Sequence, residues 1–270
     1  MPEGDTIFRA ARTLERAIGG QTVTGFESVL PKLTRVDVDL GVLGRTVEKV
    51  ESRGKWLLMH FSGELMLLTH MLMSGSWHIY RPGEKWQRRP VDMRVVVKTE
   101  KIWAVAFNVP IAEFHTPDTL RRRQGFRKLG QDVLGAEFAP AVSAAKLRAN
   151  SDLEVGVALL TQSIVAGIGN VFKSEVCFGC RVNPFRRVAS LSGAELDCLM
   201  RTARKFLLMN VPDGSGDQMR TTTGGIAPSK GLWVYGRRGE ACRVCGTAIE
   251  SYRQGEEART SFWCPNCQRR

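Results

Sequence analysis

A chain of 270 residues is long enough for two domains with separate cores, and 43% hydrophobic with 24% charged residues is the balance of a soluble globular protein, not of a disordered or fibrous one. Thirty-nine Lys and Arg against 27 Asp and Glu leave a net charge of +12, which favours a polyanionic partner, nucleic acid before membrane. No apolar run has membrane length and no signal peptide is present, so the seven cysteines predict metal ligands or free thiols and argue against a disulfide framework.

The chain opens Met1-Pro2-Glu3-Gly4. Removal of Met1 exposes a proline secondary amine. An α-amino group titrates near ~8, so a useful fraction is neutral at physiological pH. Addition to an aldehyde-like carbon gives an iminium, an electron sink for breaking neighbouring bonds. Glu3 is placed to move the proton that such chemistry needs. By itself this opening is a common one that most chains do not use.

Asp5 reads as an N-cap, and Ile7, Ala11, Leu14 and Ile18 recur at helical spacing up to Gly19-Gly20. From 21 to 110 the period changes. Short Val- and Thr-rich segments predict strands over 21–29, 46–52, 55–61, 64–68, 76–80, 92–99 and 102–107, a spacing that suggests a sandwich of two sheets. Residues 119–140 read as a linker. Its basic run Arg121-Arg122-Arg123 fits a solvated face or a hinge over nucleic acid equally well.

From 143 to 210 the pattern is helical. Ser151-x-x-Glu154 and Ser192-x-x-Glu195 are capping-box patterns, and Leu153, Val157, Leu160 and Ile164 fall on one face. Cys177, Cys180 and Cys198 lack a fourth ligand and read as buried packing thiols. The C-terminus carries Cys242-x-x-Cys245 and Cys264-x-x-Cys267, with 18 residues between the pairs. Two such knuckles bring four thiolates to one ion, which predicts a structural zinc ribbon.

Five segments together resemble one family, the formamidopyrimidine-DNA glycosylase and endonuclease VIII enzymes of base-excision repair. They are PEGDT at 2–6, SRGKWLL at 52–58, LGQDVL at 129–134, GIGNVFKSE at 167–175 and ARTSFWCPNCQ at 258–268. The resemblance implies an α+β fold: an N-terminal helix and a two-sheet β-sandwich (1–118), the linker, a helix–two-turn–helix domain (141–231) and a zinc finger (232–270). DNA is expected in the cleft between the domains. The implied activity is that of a bifunctional DNA glycosylase and AP lyase acting through a Pro2 Schiff base, on damaged DNA, as a monomer in a bacterial cytoplasm with no membrane partner.

The same resemblance assigns candidate roles. Pro2 is the nucleophile, Glu3 the proton carrier, and Lys55, Glu175 and Arg259 complete the catalytic set. Asn170, with Gly167, Gly169 and Lys128, belongs to the DNA-binding set. Here the bare residues leave room for plainer readings: Lys55 as a hairpin lysine, Glu175 as a local capping carboxylate, the glycines as a helix-joining turn. Leu72 and Met73 match the loop that fills the gap left by an everted base. Core packing at a strand end is their alternative.

Three departures lean to the endonuclease VIII side and hence to oxidised pyrimidines. The opening is PEGDT, where the formamidopyrimidine branch has PELPE. The segment 107–114, FNVPIAEF, lacks that branch's Arg-Arg-Phe wedge, and 219–231 shows no clear lesion-covering loop. Rival readings are an 8-oxoguanine-preferring glycosylase and a non-catalytic zinc-ribbon DNA-binding protein.

Overall fold

A computed structural model describes residues 2–212, 219–224 and 231–269. The chain divides into two compact units, Met1–Arg127 and Lys128–Arg270. Their boundary falls inside the stretch 119–140.

The first unit begins with helix α1 (Gly4–Ile18). Its N-cap is Glu3 and not the expected Asp5. The backbone at Glu3 is extended (φ −127°, ψ −173°), and its carbonyl accepts the Ile7 amide at 3.1 Å. Asp5 sits instead in the first turn, where a carboxylate suits the helix dipole. Ile7, Leu14 and Ile18 are buried, each contributing roughly 1.5–3 kcal/mol of transfer free energy. Strand β1 (Val23–Ser28) follows, then helix α2 (Pro31–Leu40), β2 (Val47–Arg53), β3 (Trp56–Phe61), β4 (Leu65–His70), β5 (Ser76–Tyr80), β6 (Met93–Thr99), β7 (Trp103–Phe107) and β8 (Ile111–His115).

The strands form two four-stranded sheets, ordered β1-β6-β7-β5 and β2-β3-β4-β8. One core lies between them. Val95, Val97, Ala104 and Ala106 supply it from one sheet, and Leu57, Met59, Phe61, Leu65 and Leu67 from the other. The Glu15 carboxylate accepts the Val50 amide, which ties α1 to β2. Short helices α3 (Pro117–Arg122) and α4 (Gln124–Arg127) close the unit. The basic run does not act as one patch: Arg121 pairs with Asp118, while Arg123 turns back onto β8 and pairs with Glu113.

The second unit holds β9 (Gln131–Asp132), α5 (Pro140–Arg148), α6 (Val155–Leu160), β10 (Val165–Ala166), α7 (Asn170–Gly179), α8 (Gly193–Met209), β11 (Glu250–Gln254) and β12 (Arg259–Trp263). The Ser192–Glu195 capping box forms at α8. The one at Ser151 does not: Glu154 is itself the N-cap of α6, and its carboxylate accepts Gln254 Nε2 at 2.8 Å. The buried side of α6 is Val155, Ala158 and Leu159; Ile164 is buried beyond its end.

Cys180 and Cys198 are not packing thiols. They form a disulfide, with Cα atoms 5.9 Å apart, between the C-cap of α7 and the middle of α8. Tertiary packing of the two helices brings together cysteines 18 residues apart in sequence, which spacing alone does not disclose. Cys177 is a packing thiol, and burial pushes its pKa up to about 12. Among the described residues no helix is long and apolar enough to cross a membrane.

Candidate active site and nucleic-acid interface

Pro2 stands just ahead of α1 and is half-buried, and Glu3 beside it is wholly buried. Because Glu3 is the N-cap, the direction in which Pro2 leaves the helix is fixed by the packing of α1 on β2. A terminal residue is ordinarily frayed; here it is anchored by a buried neighbour and a docked helix.

Lys55 occupies a two-residue hairpin turn, closed by the pairing of Arg53 with Trp56. Gly54, the first turn residue, has φ +62°, the left-handed region a II′-type turn requires there. The turn is braced on both sides. The Arg53 guanidinium lies 4.8 Å from the Phe126 ring centre, and that of Arg123 lies 4.2 Å from the Trp56 ring centre.

His70 ends β4 and meets Trp56 edge-on, with ring centres 4.6 Å apart. Its pKa is held down to about 4, first by burial and then by the cations Lys55 and Arg123. Neutral His70 accepts the Leu72 amide on Nδ1 at 3.1 Å. Leu72 has φ +45°, a conformation that costs a leucine roughly 1–2 kcal/mol and must be held by its surroundings. The turn is closed by Gly75 N–H donating to the Met71 carbonyl at 2.8 Å, and a Cβ on Gly75 would lie 2.6 Å from that oxygen. Met71 is buried in the core, whereas Leu72 and Met73 are 46% and 62% exposed. Core packing therefore does not account for Leu72 and Met73.

In the second unit the loop between α6 and α7 carries Gly167, Gly169 and Asn170. Gly167 has φ +101° and Gly169 is the N-cap of α7. Gln162, absent from the sequence reading, organises this loop. Its Nε2 donates to the Leu160 and Ile168 carbonyls, and its Oε1 accepts the Gly167 amide at 3.1 Å. The LGQDVL segment braces it from outside: β9 pairs in parallel with β10, and the Gly130 amide donates to the Gln162 carbonyl. A Cβ on Gly130 would lie 2.2 Å from the Ile164 carbonyl oxygen, so that position needs glycine. Lys128, just before this segment, is exposed. Asn170 is 9% exposed, and its Oδ1 is buried with no hydrogen-bond partner. Oδ1 and Nδ2 exchange places on a flip of the amide, so the group is available to donate or accept.

Arg259 opens β12 and is exposed, paired at 3.0 Å with Glu257, itself exposed. Cys242, Cys245, Cys264 and Cys267 place their sulfurs within 4.8 Å of one another, with Cys242–Cys267 at 3.9 Å and Cys245–Cys264 at 3.5 Å. Tetrahedral zinc–thiolate bonds of ~2.3 Å put sulfurs about 3.8 Å apart, so these four thiolates fit one zinc ion with no position left open.

Residues 1–111 match the formamidopyrimidine-DNA glycosylase N-terminal domain, 129–221 its H2TH domain, and 239–270 the zinc finger found in FPG and IleRS. "Probable endonuclease 8 2" of Streptomyces coelicolor is 36% identical over 99% of this chain and 94% of its own length. "DNA-(apurinic or apyrimidinic site) lyase Nei2" of Mycolicibacterium smegmatis is also 36% identical, over 99% of each. The chain belongs to the formamidopyrimidine-DNA glycosylase and endonuclease VIII family. "Endonuclease 8" of Escherichia coli is 32% identical over 99% of this chain. The Lactococcus lactis Fpg, solved in complex with DNA containing an abasic site, shares the fold, with a TM-score of 0.83 over 100% of both chains at 23% identity.

As a family member the chain carries one structural zinc on its four cysteines. Glu175 has its carboxylate oxygens taken within its own unit. They accept the Trp233, Val234 and Tyr235 amides at 2.8–2.9 Å and the Thr222 hydroxyl. It thus anchors the entry to the ribbon. The turn joining β7 to β8 is only Asn108-Val109-Pro110, too short for an arginine-bearing wedge loop. Of the segment 219–231, residues 225–230 lie outside the described residues.

Proposed function

We propose that this chain is a bifunctional DNA glycosylase and AP lyase of base-excision repair that removes oxidised bases, pyrimidines before purines. The observation that carries the reading is the pairing of a half-buried Pro2 with a wholly buried Glu3 at a helix start fixed to the sandwich.

With Met1 removed, the Pro2 nitrogen attacks C1′ of an everted nucleotide. The N-glycosidic bond breaks and the base leaves with a proton. The C1′–O4′ bond then opens, with Glu3 delivering a proton to O4′, and leaves an iminium between Pro2 and C1′. Its positive charge acidifies C2′–H. Loss of that proton expels the 3′ phosphate (β-elimination), and loss of the C4′ proton expels the 5′ phosphate (δ-elimination). Water hydrolyses the iminium and frees Pro2.

The remaining residues bind and orient. Lys55, Lys128, Arg259, Asn170 and the loop at Gly167 and Gly169 take backbone phosphates. Leu72 and Met73 fill the vacated stack. Glu175 positions the segment 233–235 and through it the ribbon. The enzyme acts as a monomer on DNA in a bacterial cytoplasm. The lesion preference is supported by the absence of an arginine wedge between β7 and β8 and by an apolar, exposed pair at 72–73.

The test is single-turnover excision from duplexes carrying thymine glycol, dihydrouracil or 8-oxoguanine, opposite each base. Thymine glycol and dihydrouracil are expected to leave fastest, because they stack poorly. Faster loss of 8-oxoguanine opposite cytosine would reverse the lesion order. No cleavage of any lesion or abasic site would sink the enzymatic reading.

A further inference from the structure

The first unit contains a continuous run of side chains that no catalytic step above uses. It starts at Glu113 on β8. Its carboxylate accepts two bonds from Arg123, Nε at 2.6 Å and Nη2 at 3.2 Å, the bidentate geometry that fixes a guanidinium plane. His115 adds a contact to the same carboxylate at 3.0 Å. The Arg123 guanidinium then covers the Trp56 ring at 4.2 Å. Trp56 is the residue after Lys55. Its ring meets His70, which accepts the amide of Leu72. The run therefore joins two working parts: the turn that carries Lys55 and the loop that carries Leu72 and Met73.

Neither part fixes itself. The Lys55 turn has two residues, and Leu72 is a non-glycine residue at φ +45°. Arg123 is the member that makes the run continuous, since it alone touches both the anchor on β8 and the ring beside Lys55. We infer that Arg123 is a positioning residue that sets the Lys55 turn and the Leu72–Met73 loop as one unit, through Trp56 and His70, for eversion of the damaged nucleotide. Arg123 touches no substrate in this account. Its guanidinium is occupied by Glu113 and Trp56, which distinguishes it from a phosphate-binding arginine. The inference rests on the functional reading above, in which Lys55 and the 72–73 loop engage DNA.

The experiment compares wild type, Arg123→Met, Arg123→Lys and Glu113→Gln on duplexes with an abasic site flanked by 2-aminopurine. Three quantities are read: the 2-aminopurine signal on mixing, the single-turnover cleavage rate at saturating enzyme, and the affinity for undamaged duplex as salt is varied. For Arg123→Met the signal is expected to slow and cleavage to fall on the order of 10- to 100-fold, the cost of a small misplacement at a reacting centre. Undamaged-duplex affinity and its salt slope are expected to stay as in wild type. Arg123→Lys should recover part of the rate, because a lysine keeps the charge over the ring but loses the bidentate fork. Glu113→Gln should show a smaller loss of the same kind.

A cleavage rate for Arg123→Met within twofold of wild type would overturn the inference. So would a salt slope lower by about one, which marks a lost phosphate contact. Should Arg123→Met fail to fold by circular dichroism, Glu113→Gln decides: the same pattern in milder form supports the inference, and wild-type kinetics refute it. Failure of the wild-type enzyme to cleave would count against the functional reading instead.

Discussion

The Lys173 ammonium donates to the Thr260 carbonyl at 3.2 Å from a wholly buried position. This bond links the helix that begins at Asn170 to the strand that begins at Arg259. A second link runs beside it, from the Phe262 amide to the Ser174 hydroxyl at 3.2 Å. Two groups proposed for phosphate are thus held on one scaffold within the second unit. Lys173→Ala leaves a cavity and an unpaired carbonyl, and is expected to cost about 2–4 kcal/mol. Urea unfolding of the intact protein measures this, and an unchanged midpoint would mean that the link is not holding.

The zinc ribbon is expected to depend wholly on its metal. One zinc per chain should be found in reduced protein. Cys264→Ala should release it, unfold β11 and β12, displace Arg259 and abolish DNA binding. The sheet signal of the first unit should persist. A zinc-free preparation that still binds lesion-bearing DNA would contradict this.

Arg259 is exposed and its partner Glu257 is exposed too, so the pair is weak and the guanidinium is available to a phosphate. Arg259→Ala should lower affinity for all sequences alike and reduce the salt slope by about one. An unaltered slope would remove Arg259 from the backbone contacts.

His70 supplies a pH dependence whose sign is fixed by its geometry. Its pKa falls from 6.5 to about 4 on folding, so below 6.5 the unfolded chain binds a proton that the folded one refuses. The stability it contributes is complete above 6.5 and is lost as pH falls toward 4. Lys55 and Arg123 oppose the proton, and the Leu72 amide occupies Nδ1. Glu51, with a pKa lowered to about 2, acts only below its ordinary 4.5 and so stays outside the window from 7 to 5. Urea unfolding between pH 7 and 5 should show a steeper decline in wild type than in His70→Asn, which keeps the share due to His78, a second histidine whose pKa burial holds down. Equal declines in both proteins would show that His70 is not its source.

Motifs dense in special residues were legible in the sequence. The paired cysteines, the Gly-rich loop before α7 and the Pro-Glu opening each demand residue types that few other arrangements need. Helix α1 and seven of the eight sandwich strands showed their periods, although with ragged ends. Strand β8 was missed because Ile111–His115 is short and lies directly after Pro110. Helix α2 was missed because Pro31–Leu40 is a short insertion among strands and buries only Leu33. Long-range pairings were beyond reach. Cys180 meets Cys198, Gln162 ties down Gly167, and Arg123 caps Trp56 only because folding brings them together. The basic run at 121–123 looked uniform, yet its members do different things, since a charge's partner is set by tertiary structure.

The central claim is that the Pro2 nitrogen forms a covalent iminium with the sugar. Borohydride reduction on an abasic-site duplex tests it directly, because the reduced adduct cannot hydrolyse. Protein with Met1 removed should become trapped on the DNA, with the modified residue at Pro2 by peptide mass analysis. Protein that retains Met1 should bind the same DNA but yield no adduct. Equal trapping with Met1 in place, or an adduct mapped to Lys55, would contradict the account.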